Sequence, residues 1–245
     1  MGFRHLFGNG VPKNAVEAVK WYTRAAEQGD ADAQSNLGVM YANGEGVPKN
    51  AVEAFKWFTR AAEQGHAPAQ SNLGNMYAEG DGVTKNAVEA VKWFTRAAEQ
   101  GDVPAQFNLG FMYANGEGVP KNAVEAVKWY TRAAEQEDAS AQANLGFMYA
   151  KGEGVPKNGV EAVEWYTRAA EQGHAITQFN LGLMYANGEG VPKDLIRAYK
   201  WANLAAASGE NAALRDELER NMTTDQIAEA QRLSAAFVPK PEVKP

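Results

Sequence analysis

Apolar positions along the chain follow two alternating helical stripes. In the stretch 50–64, Ala54, Trp57, Phe58, Ala61 and Ala62 fall at i, i+3, i+4, i+7 and i+8, while Glu53, Lys56, Arg60 and Glu63 take the opposite side. This spacing predicts an amphipathic helix. Asn50, with Glu53 three residues on, has the form of an N-cap, and Gly65 stands where a left-handed C′ residue ends a helix. A second pattern over 66–78 sets Ala69, Leu73, Met76 and Tyr77 on one side, with Pro68 in the first turn, where a missing N–H costs little. The link Glu79-Gly80-Asp81-Gly82-Val83-Thr84-Lys85 can then reverse the chain through its two glycines.

These two patterns repeat. The six tryptophans, Trp21, Trp57, Trp93, Trp129, Trp165 and Trp201, are spaced at a constant 36 residues. The same interval separates Leu37-Gly38, Leu73-Gly74, Leu109-Gly110, Leu145-Gly146 and Leu181-Gly182. A fixed period of this length is the signature of a solenoid, in which each unit buries its apolar face only against its neighbours. The glycine inside the second helix costs roughly 1 kcal/mol relative to alanine, so its recurrence requires a packing reason. We expect a neighbouring helix, near Phe58 or Trp57, to approach Gly74 too closely for a Cβ.

Composition narrows the chemistry. The 245 residues include 24 Lys plus Arg against 30 Asp plus Glu, a formal charge of −6, which argues against a phosphate-backbone footprint and hence against nucleic acid as partner. The absence of cysteine excludes disulfides, thiolate metal sites and thiol nucleophiles. No apolar run is long enough to cross a bilayer, so no membrane insertion is expected. The compartment stays open: cytoplasmic, or periplasmic or secreted if the chain is truncated at its N-terminus.

The residues Ala-Gln-x-Asn-Leu-Gly-x-Met-Tyr-Ala-x-Gly-x-Gly-Val, followed by Asn-Ala-Val-Glu-Ala-x-x-Trp and Arg-Ala-Ala-Glu-Gln-Gly, closely resemble the Sel1-like repeat family, a relative of the tetratricopeptide repeat. The resemblance implies an all-α, right-handed superhelical solenoid of helix-turn-helix units. In that phase the full units are 30–65, 66–101, 102–137, 138–173 and 174–209. Residues 1–29 form a partial repeat, with 14–28 as its Trp helix. Residues 210–237 resemble the C-terminal capping helices of bacterial Sel1-like proteins, with Thr223 to Gln226 as a capping box opening a helix over 225–233. Residues 238–245 are expected to be a disordered tail.

With most positions constant from unit to unit, the varying ones are informative. They lie at i, i+3, i+7 and i+11 of each Leu-Gly helix: Asp32, Ser35, Val39 and Asn43; Pro68, Ser71, Asn75 and Glu79; Pro104, Phe107, Phe111 and Asn115; Ser140, Ala143, Phe147 and Lys151; Ile176, Phe179, Leu183 and Asn187. If the units stack as tetratricopeptide repeats do, this stripe lines the concave surface. Phe107, Phe111, Phe147, Phe179 and Leu183, with Asn75 and Lys151, are the candidate partner-binding residues; the alternative is that the phenylalanines complete the core between repeats. Asn36, Asn72, Asn108, Asn144 and Asn180 run beside the stripe. By resemblance to clamp-type tetratricopeptide proteins they are candidates to bind a peptide backbone, the alternative being a structural bond to the preceding turn.

Catalysis is not expected. His66 and His174 replace Asp102 and Asp138 at helix N-caps, where capping is the simpler role. No nucleophile triad, phosphate loop or paired-carboxylate motif interrupts the repeats, and no cofactor or metal is implied. Charged residues such as Glu53, Lys56, Arg60 and Glu63 read as surface ladders. The expected function is a non-enzymatic, monomeric scaffold or adaptor holding a protein or peptide segment in the concave groove. The alternative is a purely architectural or self-associating array.

Overall fold

The fold was analysed in a computed structural model, which describes residues 14–240; among these run thirteen α-helices and no strand. The chain divides into two compact units, 1–121 and 122–245. The first contains α1 (Ala15–Glu27), α2 (Ala31–Asn43), α3 (Ala51–Glu63), α4 (Ala67–Glu79), α5 (Ala87–Glu99) and α6 (Val103–Asn115). The second contains α7 (Ala123–Glu135), α8 (Ala139–Lys151), α9 (Gly159–Glu171), α10 (Ala175–Asn187), α11 (Leu195–Ala207), α12 (Ala213–Arg220) and α13 (Thr224–Ala235). Residues 1–13 of the expected partial repeat and residues 241–245 of the expected tail lie outside the described residues.

The local signals act as chemistry dictates. Asn50 holds an extended backbone and its side chain accepts the Glu53 N–H, satisfying one of the donors a helix start leaves open. Each Leu-Gly helix ends on a left-handed glycine, as at Gly80 with φ of 83°. At the other kind of helix end, glycine is again the rule except at Glu137, which is forced to φ of 68° and is the one described non-glycine residue with positive φ. Left-handed backbone costs an L-residue about 1–2 kcal/mol.

Within each unit a Leu-Gly helix pairs with the Trp helix that follows it, α2 with α3 and α4 with α5 in the first, α8 with α9 in the second. The cause is a ring seated on the glycine. A Cβ on Gly74 would lie 2.7 Å from Cδ1 of Phe94, and one on Gly38 or Gly146 would meet Phe58 or Tyr166 as closely. The close approach expected at Gly74 is therefore present, but its partner is Phe94 rather than Phe58 or Trp57. The reason is the pairing: the hairpin joins each glycine to the Trp helix ahead of it, and Phe58 closes on Gly38. In the last pair Ala202 replaces the ring, and the backbone of α11 itself comes close, with Ala198 O 3.2 Å from a Cβ on Gly182.

Successive Trp helices are tied by a buried glutamine. Gln70, 4% exposed, donates to the Ala62 carbonyl at 3.0 Å and accepts from Gln100 at 2.7 Å. Gln142 repeats this in the second unit, donating to the Ala134 carbonyl and accepting from Gln172. The bonds that Gln70 and Gln142 donate satisfy backbone acceptors at helix ends that burial would otherwise strand.

The charged faces are only partly ladders. Lys56 pairs with Glu53 at 2.6 Å, but Arg60 lies 4.6 Å over the Trp57 ring, and Arg96, Arg132 and Arg168 stack likewise on Trp93, Trp129 and Trp165. At i+3 the planar guanidinium covers the ring face and shields it from water. Trp57 itself is half-buried, whereas Phe58 beside it is buried.

At the C-terminal end, Thr223 and Gln226 form both bonds of the capping box. Leu214, Leu218 and Ala230 join a core with Leu181, Met184 and Trp201. The last helix runs further than the expected 225–233. Lys240, expected in a disordered tail, instead donates its N–H to the Glu171 carbonyl at 2.8 Å and pairs its ammonium with the Glu171 carboxylate.

Gly74→Ala is expected to lower unfolding free energy by about 1–3 kcal/mol in denaturant titration, because Phe94 is buried and has no room to yield. Glu137→Gly, in contrast, is expected to raise stability by about 0.5–1 kcal/mol by relieving the positive φ; an unchanged midpoint would mean that the surroundings already compensate the strain.

Candidate functional site

The stripe residues sort into two rows. In the deeper row Ser35 and Ser71 are buried, and Phe107, Ala143 and Phe179 are half-buried. In the outer row Val39, Phe111 and Phe147 are 37%, 44% and 42% exposed, with Asn75 and Leu183 half-buried. Phe179 and Leu183 pack against the core formed by Leu181, Met184 and Trp201, so Phe179 contributes to stability whatever else it does. Lys151 is exposed, its ammonium 5.9 Å from the Phe147 ring centroid.

The recurrent asparagines do not share one role. Asn36 donates to the carbonyl of Asp32 at 2.8 Å, Asn108 donates to Asn75 Oδ1 at 3.0 Å, and Asn180 hydrogen-bonds the Tyr166 hydroxyl. Burial pushes that hydroxyl up to about 12 from 10.0, and the Asn180 bond partly offsets it. Asn72 and Asn144 make no side-chain hydrogen bond with the described residues. For Asn72 the reason is visible in the alignment of units: Val39 stands opposite it where Asn75 stands opposite Asn108, and a valine offers no acceptor.

In the first unit a cleft of about 300 Å³ opens on the stripe, lined by Val39, Asn43, Asn72, Asn75 and Glu79. Its floor is Phe58 and Met76, and Asp81 of the following loop completes the rim. A second cavity of about 280 Å³, in the other unit, is walled by Gln142, Arg168, Gln172 and Lys240 and touches no stripe residue.

The histidines divide. His66 caps its helix, with Nδ1 accepting the Ala69 N–H at 3.1 Å and Nε2 3.1 Å from the Asp32 carboxylate. His174 does not cap, contrary to expectation. Thr177 occupies the position of Ala69, and its fully buried hydroxyl meets His174 Nδ1 at 2.5 Å, diverting the ring. Burial holds the His174 imidazole below its ordinary value, against the pull of Asp138 and Glu210. Among the described residues no group of three or more His, Asp or Glu side chains is placed to hold a metal ion, and no helix is long and apolar enough to cross a membrane.

Paired helices with a constant interior and one varying helical face define a tandem α-helical repeat protein. The Sel1 repeat profile matches residues 1–30, 31–66, 67–102, 103–138, 139–174 and 175–210, and the chain belongs to the Sel1 repeat family. Among solved structures, a Sel1 repeat protein from Oxalobacter formigenes is similar at 37% identity with a TM-score of 0.77, over 89% of this chain and 92% of that one. The protein c5321, a protective antigen present in uropathogenic Escherichia coli strains, is similar at 27% identity and a TM-score of 0.50, over 98% of this chain and 83% of its own. A putative Sel1 repeat protein from Klebsiella pneumoniae shares the fold at 22% identity and a TM-score of 0.50, over 86% of this chain and 99% of that one. No curated protein sequence matches the chain. These relatives are bacterial, in keeping with the source expected from the C-terminal motif. Sel1 repeat proteins are generally non-enzymatic protein-interaction scaffolds.

Sequence reasoning names Asn72 only as one of five equivalent asparagines, and neither its open amide nor the Glu79–Asp81 rim stands out from the residues alone. The one signal was the i+11 position of the stripe, where Asn43, Asn115 and Asn187 give way to Glu79. Phe179→Ser is expected to lower stability by about 2 kcal/mol or more, and Phe147→Ser by less than about 1 kcal/mol. Equal losses in urea titration would contradict the division into a packed and an exposed row.

Proposed function

We propose that this chain is a non-enzymatic adaptor that holds an extended peptide or protein segment along the stripe of its Leu-Gly helices. The observation that carries the proposal is the exposure of Phe111 and Phe147 in the outer row of the stripe where the repeats differ. Large rings this exposed at a varying position add little to packing, and exposed aromatic surface on a rigid support is the usual anchor of protein contacts. Affinity comes from a preorganised stack, so ordering costs fall on the partner. Asn72 and Asn144 are the amides free to meet a peptide backbone, whereas Asn36, Asn108 and Asn180 are engaged within the protein.

A second reading, self-association, is favoured by a different feature. Val52 and Val88 in the first unit, and Val124 and Val160 in the second, are more than half exposed at one repeat position of the Trp helices. Sedimentation velocity across concentration separates the two, since the adaptor is a monomer. The adaptor is tested by affinity capture from bacterial lysate with the parent chain and a Phe111→Ser/Phe147→Ser variant. A protein retained by the parent and lost by the equally folded variant is the expected result. Identical prey lists from both baits would remove the stripe as the binding surface.

A further inference from the structure

The cleft of the first unit has a chemistry that its counterparts along the chain lack. In the first and last full repeats, the carboxylate of the loop after the Leu-Gly helix is met by an amide: Asn43 donates to Glu45 at 3.3 Å and Asn187 to Glu189 at 3.0 Å. In the second repeat the corresponding pair is Glu79 and Asp81, so the donor is replaced by a second carboxylate. Neither Glu79 nor Asp81 is in an ion pair with a described residue, and no lysine or arginine lines the cleft. Beside them stands the unpartnered Asn72 amide, and beneath them the apolar surface of Val39, Phe58 and Met76.

From this combination we propose that the cleft takes an extended peptide segment bearing a lysine or arginine side chain, a refinement that rests on the stripe being the binding surface. An aliphatic stem lying over Val39 and Met76 buries its methylenes while its charged head reaches the two carboxylates. The Asn72 carboxamide carries both a donor and an acceptor, which match one peptide unit of an extended backbone. The cleft volume, about 300 Å³, is at the small end of ligand sites and suits a side chain with its adjoining backbone. Both carboxylates line the cleft, so a cation seated there is attracted by both.

The test uses a random twelve-residue phage-displayed peptide library panned against the whole chain, followed by titration of the enriched synthetic peptides. Enriched sequences are expected to share a lysine or arginine. Their binding is expected to weaken about tenfold or more on Glu79→Gln/Asp81→Asn, on replacement of that lysine or arginine by norleucine, and on raising salt. Both substituted positions are exposed, so helicity and melting should stay at the parent's values. Enriched peptides without a basic residue, sensitive to Phe147→Ser or Asn72→Ala but not to the carboxylate variant, would overturn the charge assignment and leave the stripe in place. Enrichment insensitive to every stripe variant, or no enrichment, would overturn both.

Discussion

The seating of an aromatic ring on a bare helix backbone is the constraint from which the rest of this structure follows. With Phe94 on Gly74, Phe58 on Gly38 and Tyr166 on Gly146, two helices lie closer than side chains would allow, and the antiparallel pair has one available register. The adjoining Leu73, Leu145 and their equivalents are then fully buried, and the Trp beside each ring is turned to the margin, where an arginine covers it. Where the ring is missing, at Ala202, the helices close on backbone instead and Leu214 of the terminal helices fills the flank.

Stacking of one hairpin on the next is decided by polar as well as apolar chemistry. Alanine-rich helix ends bring backbone carbonyls such as that of Ala62 into the interior, and an unpaired buried carbonyl is costly. Gln70 answers that carbonyl and is in turn held by Gln100, and Gln142 stands in the same way between Ala134 and Gln172, so each of these repeats satisfies its predecessor and is held by its successor. Apolar contacts tolerate sliding; this bond does not. The result is a fixed offset between the hairpins so joined that leaves Val39, Phe111 and Phe147 of the outer row exposed.

That freedom explains where function can be placed. Positions such as Gly74, Gln70 and Leu73 are committed to packing and are constant, whereas Val39, Asn75, Phe111 and Phe147 meet solvent and differ. Substitution at Val39, Phe111 or Phe147 changes what the surface attracts with little change to what holds it. The asparagine row shows the limit of this separation, because a residue constant in sequence is consumed by its own helix at Asn36, by a neighbour at Asn108 and by a tyrosine at Asn180.

Periodicity, helix caps, the close approach at glycine and the face that varies could all be read from the residues in order, because each depends on spacing along one helix or on the recurrence of a unit. The choice of Phe94 rather than Phe58 as the ring on Gly74 could not, since pairing with the preceding or the following helix satisfies the same stripe. Nor could the diversion of His174 by Thr177, the stacking of Arg60 on Trp57 in place of a charge ladder, or the opening of Asn72 opposite Val39. Each of these is settled by which side chain meets which across a helix interface, and that is fixed only when the hairpins close and their buried donors and acceptors find partners.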